Sequence, residues 1–502
     1  MILDILTQTD FAGAIEETYH CPGAARLAAL LSRQRKENPS GTLFLDAGDV
    51  LCGAPICNLT AGEPVIDMLN RLGVDAMTLG NHEFDNGRES MHAVLQRANF
   101  PILCANILDA ASQRVLPFAA PYVMLERQGI HIGIIGVTTA YTPFMVKQDR
   151  FTDYTVVSPA KVLNVLVPRL RREGADIIIV LSHLPGSVTS EGVCTGELFE
   201  VAGEIPPVDV LIGGHNFGSF AFVRGETVFA KAGFSANDIA HIRLVLDANK
   251  RVRSRKARLY RLLGAEAEPL QPRTDIQLAV DRAMAPYRPA LNEALAELPA
   301  ALSVDSQCEC ALGNFYTDAL RKAANAEVGV FNATSMYGYM PAGTVTAEMV
   351  QHVMCFDEDI FAGTMRGLQL KCLFERTYET GHWAMNRALQ FSGLRVEVDT
   401  RKPEGQRVCS IRLEDGRPLR PDSYVRIATT DYIASGGNNY QDIMKQTAWV
   451  NTHIRTHTYF VDYLRDRRVI PHQTDGRLLN LDPDWPCDDA AAKKDDANGS
   501  PG

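Results

Sequence analysis

The first half of the chain repeats one pattern, a short apolar run that ends on polar side chains. Met1–Thr7 is followed by Asp10. Thr42–Leu45 leads into Asp46-Ala47-Gly48-Asp49, and Asp75–Leu79 into Gly80-Asn81-His82-Glu83-Phe84-Asp85-Asn86-Gly87. Ala175–Leu181 ends at Ser182-His183, and Val208–Ile212 at Gly213-Gly214-His215-Asn216. Segments of helical period lie between them: Ala24–Gln34, Glu63–Leu72 and Pro159–Arg172. Ser158 is the expected N-cap of the last, with Pro159 at the first helical position, where its missing N–H has no partner to lose. Strands alternating with helices predict a layered α/β fold. In open α/β sheets ligands bind in the crevice beyond the carboxyl ends of the strands, so five polar strand ends predict one shared site.

The side chains at those ends are Asp10, Asp49, Asn81, His183 and His215. Singly, each has an ordinary reading: a His after a strand is most often a polar loop residue, Asp46 forms a turn, and Asp49 caps a helix. Jointly they form a set of oxygen and nitrogen donors without a thiolate. That set suits one or two divalent ions among Mn, Zn, Fe, Co and Ni. A carboxylate can bridge two such ions in a hydrolase that activates water and holds a phosphoryl group. Glycines bracket the densest cluster, Gly80–Gly87, and permit the tight backbone that turns several side chains to one point.

The length of 502 residues suggests about three domains, but the pattern supports two and a tail. Residues 1–265 are the α/β domain. Residues 266–299 read as a linker and connecting helix, mostly helical over Asp275–Leu298 with a break near Pro286–Pro289. Residues 300–482 mix helices with two-period strands and are expected to be α+β. Residues 483–502 lack periodicity and are expected to be disordered. A net charge of −10 argues against a nucleic-acid polymer or an anionic membrane as partner. No apolar run approaches the ~20 residues of a membrane helix, and no basic-then-apolar segment opens the sequence as given. Eleven cysteines, an odd number sitting mostly in apolar runs, read as free thiols. The expected location is the cytoplasm.

The motifs LDAGD (Leu45–Asp49), GNHEFD (Gly80–Asp85), LSH (Leu181–His183), GGH (Gly213–His215) and SGG (Ser435–Gly437) together resemble the 5'-nucleotidase family over residues 3 to 482. That family joins a calcineurin-like metallophosphoesterase domain to a substrate-binding C-terminal domain. The resemblance implies that Asp49 bridges two metals, that Asn81, His183 and His215 complete one site, and that Asp10 belongs to the other. It makes His82 the group that meets the phosphoryl group or protonates the leaving oxygen, oriented by Asp85. An imidazole paired with a carboxylate suits an acid near neutral pH. Glu83 is left as structural.

In the first domain the departures from the family pattern fall on one metal site. Asp-x-His reads Asp10-Phe11-Ala12, and Gly-His-x-His reads Gly214-His215-Asn216-Phe217. Both missing histidines serve the same metal, so one site is expected intact and the other reduced. His20, Glu16 and Glu17 are candidate substitutes. In the second domain the phosphate-gripping Arg of Asn-Gly-Gly-Gly-Ile-Arg is Tyr337, which offers one neutral hydrogen bond in place of a guanidinium fork. Phe391 and Tyr432 stand where the family stacks a base, and Asn438 where it often has an acid. The expected function is metal-dependent hydrolysis of a nucleotide or other small phosphorylated molecule. The alternatives are a weakened or inactive nucleotide-binding homologue, and a hydrolase of a phosphodiester or sugar pyrophosphate.

Overall fold

The computed structural model describes residues 1–305, 308–379, 389–468, 470 and 473–485. The chain divides into two compact units, Met1–Pro286 and Tyr287 onward.

Two six-stranded sheets make the first unit. One runs, edge to edge, Val252–Arg261, Asp238–Leu246, Ile2–Gln8, Thr42–Asp46, Ala76–Thr78 and Ile102–Leu103. The other runs Phe220–Arg224, Thr227–Lys231, Val210–Ile212, Ile177–His183, Ile130–Thr138 and Tyr122–Arg127. The last four strands of the first sheet are mutually parallel, and so are the four from Thr227–Lys231 to Ile130–Thr138 in the second. Their carboxyl ends therefore open on a common side of each sheet. A charged hairpin, Asp238–Leu246 and Val252–Arg261, extends the first sheet antiparallel to Ile2–Gln8.

Strand period explains how the sheets stack. Ile177, Ile179 and Leu181 share a core with Leu3, Ile5, Leu43, Leu45, Ile132 and Ile212, residues drawn from both sheets. The alternate residues Ile178 and Val180 pack with Leu163 and Val167 of the Pro159–Arg172 helix and with Leu198 and Val201 of the Glu197–Glu204 helix. Full burial of each such side chain contributes roughly 1.5–3 kcal/mol, which leaves the register little freedom. Pro159 opens its helix as expected, but the Ser158 side chain makes no capping hydrogen bond.

The second unit is α+β. A five-stranded sheet runs Leu389–Ser392, Val328–Asn332, Tyr424–Thr430, Asp359–Arg366, Val450–Arg455, and a three-stranded sheet runs Val408–Leu413, Leu394–Val398, Leu478–Asn480. The helix Ala311–Ala323 packs with Phe331 and Ala428 on one face, and the helix Gly367–Thr377 with Val328, Val330 and Ile427 on the other.

Three expectations are corrected. The Asp275–Leu298 stretch is helical only over Thr274–Met284 and Arg288–Leu291, and Ala294–Leu298 is a strand paired antiparallel with Gly343–Thr346. The edge pairing outweighs the helical propensity of its Ala, Leu and Glu. Cys308 is disulfide-bonded, while nine cysteines among the described residues are free thiols. The cysteine count therefore gives no argument for a reducing compartment. Phe391 is 2% exposed and lies edge-to-face on Phe374 (centroids 5.0 Å apart) inside the core, so it presents no ring face for a base. Of the tail expected to be disordered, residues 486–502 lie outside the described residues. Among the described residues no helix is long and apolar enough to cross a membrane.

Candidate metal centre

The polar strand ends converge. Asp49, His183 and His215 each place a potential ligand atom within 4.8 Å of the others'. His183 continues the inward-facing set Ile177, Ile179, Leu181, and its ring is fully buried. Its Nδ1 lies 2.7 Å from the Ala47 carbonyl, which holds the ring in place. Its Nε2 lies 3.0 Å from Asp49 Oδ2 and 3.9 Å from Asp10 Oδ1, buried and without the alignment of a hydrogen bond. His215 Nδ1 lies 2.9 Å from Asn81 Oδ1, and the amide nitrogen of Asn81 is buried without a partner. The His215 backbone N–H donates to Asp10 Oδ2 at 3.0 Å, which Thr9 Oγ1 also reaches at 2.6 Å.

Backbone approach makes this packing possible. A Cβ on Gly80 would sit 2.1 Å from Asp49 Oδ1, and one on Gly214 would sit 2.4 Å from Thr9 Oγ1. Only glycine fits at either point. The Glu83 carboxylate accepts from the N–H groups of Asp49 (3.0 Å), Val50 (2.8 Å), Leu51 (3.3 Å) and Gly80 (2.6 Å). It ties the Leu45–Asp49 and Gly80–Asp85 segments to each other. Its structural assignment is therefore sound, and its reach across four donors is what the sequence did not disclose.

The electrostatics call for a positive charge. Burial raises the Asp10 carboxyl, a tendency His183 opposes and the Asp49 charge reinforces. Asp49 is held well below the ordinary carboxylate range because His183 and His82 outweigh its burial. For His183 burial favours the neutral ring, but Asp49 and Asp10 override it and push the pKa up to about 9. His215 is pushed down to about 3 by burial and by the neighbouring His183 charge. A pocket that must hold a proton between two buried carboxylates, and that leaves a buried ring nitrogen and an amide unsatisfied, is fitted to a divalent cation.

His82 stands beside this pocket. Its backbone N–H donates to Asp49 Oδ1 at 2.8 Å, Nδ1–H donates to Asp85 Oδ2 at 2.7 Å, and Nε2 lies 4.0 Å from Asp49 Oδ2. Burial opposes its protonation, yet Asp85 and Asp49 raise it to about 10. Ala12 is 3% exposed and Phe217 is 51% exposed, its ring 5.4 Å from that of Phe234. Neither offers a ligand atom. Of the candidate substitutes, His20 Nε2 is engaged by Thr18 Oγ1 at 3.1 Å and Glu17 pairs with Arg26 at 2.8 Å. In the second unit Tyr432 is half-buried beneath Gly437, and its hydroxyl donates to Asn438 Oδ1 at 2.9 Å. Asn438 Nδ2 in turn reaches Thr334 Oγ1 at 3.2 Å.

A two-sheet α/β sandwich with Asp, Asn and His side chains gathered at its strand ends has the form of a metallophosphoesterase. The calcineurin-like phosphoesterase family model matches residues 17–216, and the 5'-nucleotidase C-terminal domain model matches residues 294–446. The chain belongs to the 5'-nucleotidase family, which combines these two domains. The cell wall protein Lmo0130 of Listeria monocytogenes is 25% identical over 95% of this chain and 69% of its own length. The snake venom 5'-nucleotidase of Gloydius brevicauda is 25% identical over 87% of this chain and 82% of its own. The crystal structure of a 5'-nucleotidase precursor from Thermus thermophilus superposes with a TM-score of 0.84 at 25% identity, covering 96% of this chain and 100% of that one.

Proposed function

We propose that the protein hydrolyses the phosphoester of a nucleotide or similar small phosphorylated molecule, with one divalent ion held by Asp49, Asn81, His183 and His215. The observation that carries this reading is the buried, unaligned His183 Nε2, 3.0 Å from Asp49 and next to a second carboxylate, Asp10. The chemistry a bound divalent ion supplies in such a site is activation of water at neutral pH and neutralisation of charge on a phosphoryl oxygen. The reduced second position follows from Ala12 and Phe217, which bring no donor to Asp10.

His82 serves as the acid. With Nδ1–H committed to Asp85, its Nε2 faces the ion pocket and carries the proton that the leaving oxygen takes. Asp85 orients the ring and keeps it protonated. Asp85→Asn is therefore expected to lower the His82 pKa and move the alkaline limb of the kcat/KM profile to lower pH by about one unit or more, with ion content unchanged. An unmoved limb would remove His82 from this role. Tyr432 and Asn438 are the proposed substrate contacts of the second unit, and Phe391 is not one.

The test of the function is direct. Purified protein loaded with Mn is assayed for ions per chain and for phosphate release from nucleoside monophosphates, a phosphodiester and an aryl phosphate. One ion and release from a monoester support the reading. Bound ion with no turnover across the panel would favour a nucleotide-binding homologue, and turnover of the diester alone would favour the other ester class.

A further inference from the structure

Lys231 closes the strand Thr227–Lys231, which runs parallel to Val210–Ile212, the strand that delivers His215. It is 1% exposed. Its ammonium donates to the Asn216 carbonyl at 2.7 Å, to Asn216 Oδ1 at 2.8 Å and to the Phe217 carbonyl at 3.0 Å. Three protons meet three oxygens, the complete set for a charged lysine. All three oxygens belong to the two residues after His215, and the second of these, Phe217, stands where the family motif carries a ligand to the other ion. The same loop is held at its start by the His215 N–H on Asp10. The loop is thus pinned between the Asp10 carboxylate and a buried cation. The Lys231 and Asp10 charges are near enough to attract each other.

We infer that Lys231 is a positioning residue that acts as the cation of the reduced half-site: it supplies the positive charge on the Asp10 side of the pocket and excludes a second divalent ion. A divalent ion brought there meets a like charge in an interior that screens poorly, and finds the loop carbonyls already taken. This inference rests on the single-ion reading above.

Phe217→His tests it, because an exposed position accepts the change and the reduced site then has three ligands with Asp10 and Asp49. Each protein is loaded with Mn, freed of excess, and analysed for ions per chain. The natural protein and Phe217→His are expected to hold one ion, and Phe217→His with Lys231→Gln two. Two ions in Phe217→His alone, or one in the double variant, would overturn the assignment. Two ions in the natural protein would instead overturn the single-ion reading itself, and the assignment with it. Circular dichroism checks folding; where the Gln version does not fold, Lys231→Met, which keeps the apolar stem, takes its place and is read in the same way.

Discussion

Asp49→Asn is expected to leave the protein folded, strip it of its divalent ion and lower phosphoester hydrolysis by about 1000-fold or more, roughly 4 kcal/mol of transition-state stabilisation. Asp49 is the one carboxylate in the Asp49, His183, His215 triad. The amide keeps an oxygen for the His82 N–H, now bonded at 2.8 Å. It loses the charge 3.0 Å from His183 Nε2 and 4.0 Å from His82 Nε2. Both imidazoles then lose the anion that favours their protonation, so the acid function weakens together with ion binding. Elemental analysis, a hydrolysis rate and a thermal melt on the same preparation separate these effects. An Asn variant that keeps its ion and a rate within about tenfold of the natural protein would mean that the ligand set is wrong.

Glu83→Ala is expected to act on stability. One buried carboxylate accepts from four backbone N–H groups in two segments, and alanine leaves those donors buried without partners. Each orphaned donor costs ~1–3 kcal/mol, tempered by water entering the space. With water meeting part of the need of the four donors, the net cost is about 3–5 kcal/mol. At ~2–4 °C per kcal/mol for a unit of this size, the first unit should melt roughly 6–20 °C lower. Glu83→Gln, which keeps one acceptor oxygen and adds a competing amide, should fall between. A melt within about 2 °C of the natural protein would show that the two segments hold their geometry without this carboxylate.

The sandwich was legible because its strands are short continuous apolar runs and its helices are bounded by residues of known preference; Glu63–Leu72 and Pro159–Arg172 are present with those limits. The convergence of Asp10, Asp49, Asn81, His183 and His215 was legible because strand-end position is a one-dimensional fact with a three-dimensional meaning. What stayed hidden depended on long-range partners. Glu83 differs from a surface acid chiefly through the N–H groups of residues 32 to 34 positions away. Lys231, at the end of TVFAK, reads as the exposed end of a strand until the 216–217 carbonyls fold over it. Ala294–Leu298 has a helical composition and becomes a strand because Gly343–Thr346 is there to pair with. Phe391 was assigned to a base by its matching position in the family motif, and only the packing of Phe374 against its ring shows that it belongs to the core.

The shared face of Ile177, Ile179, Leu181 and His183 has an evolutionary consequence. Removing or inserting a single residue in that strand would rotate every following side chain by half a turn. It would turn the isoleucines toward the helical layer and swing the ring nitrogen of the pocket away from Asp49 in one stroke. Because Ile178 and Val180 are as apolar as Ile177 and Ile179, the packing would survive such a slip better than the pocket would, so it is His183 that fixes the length of this strand. Positions 12 and 217 lie in loops and carry no such constraint.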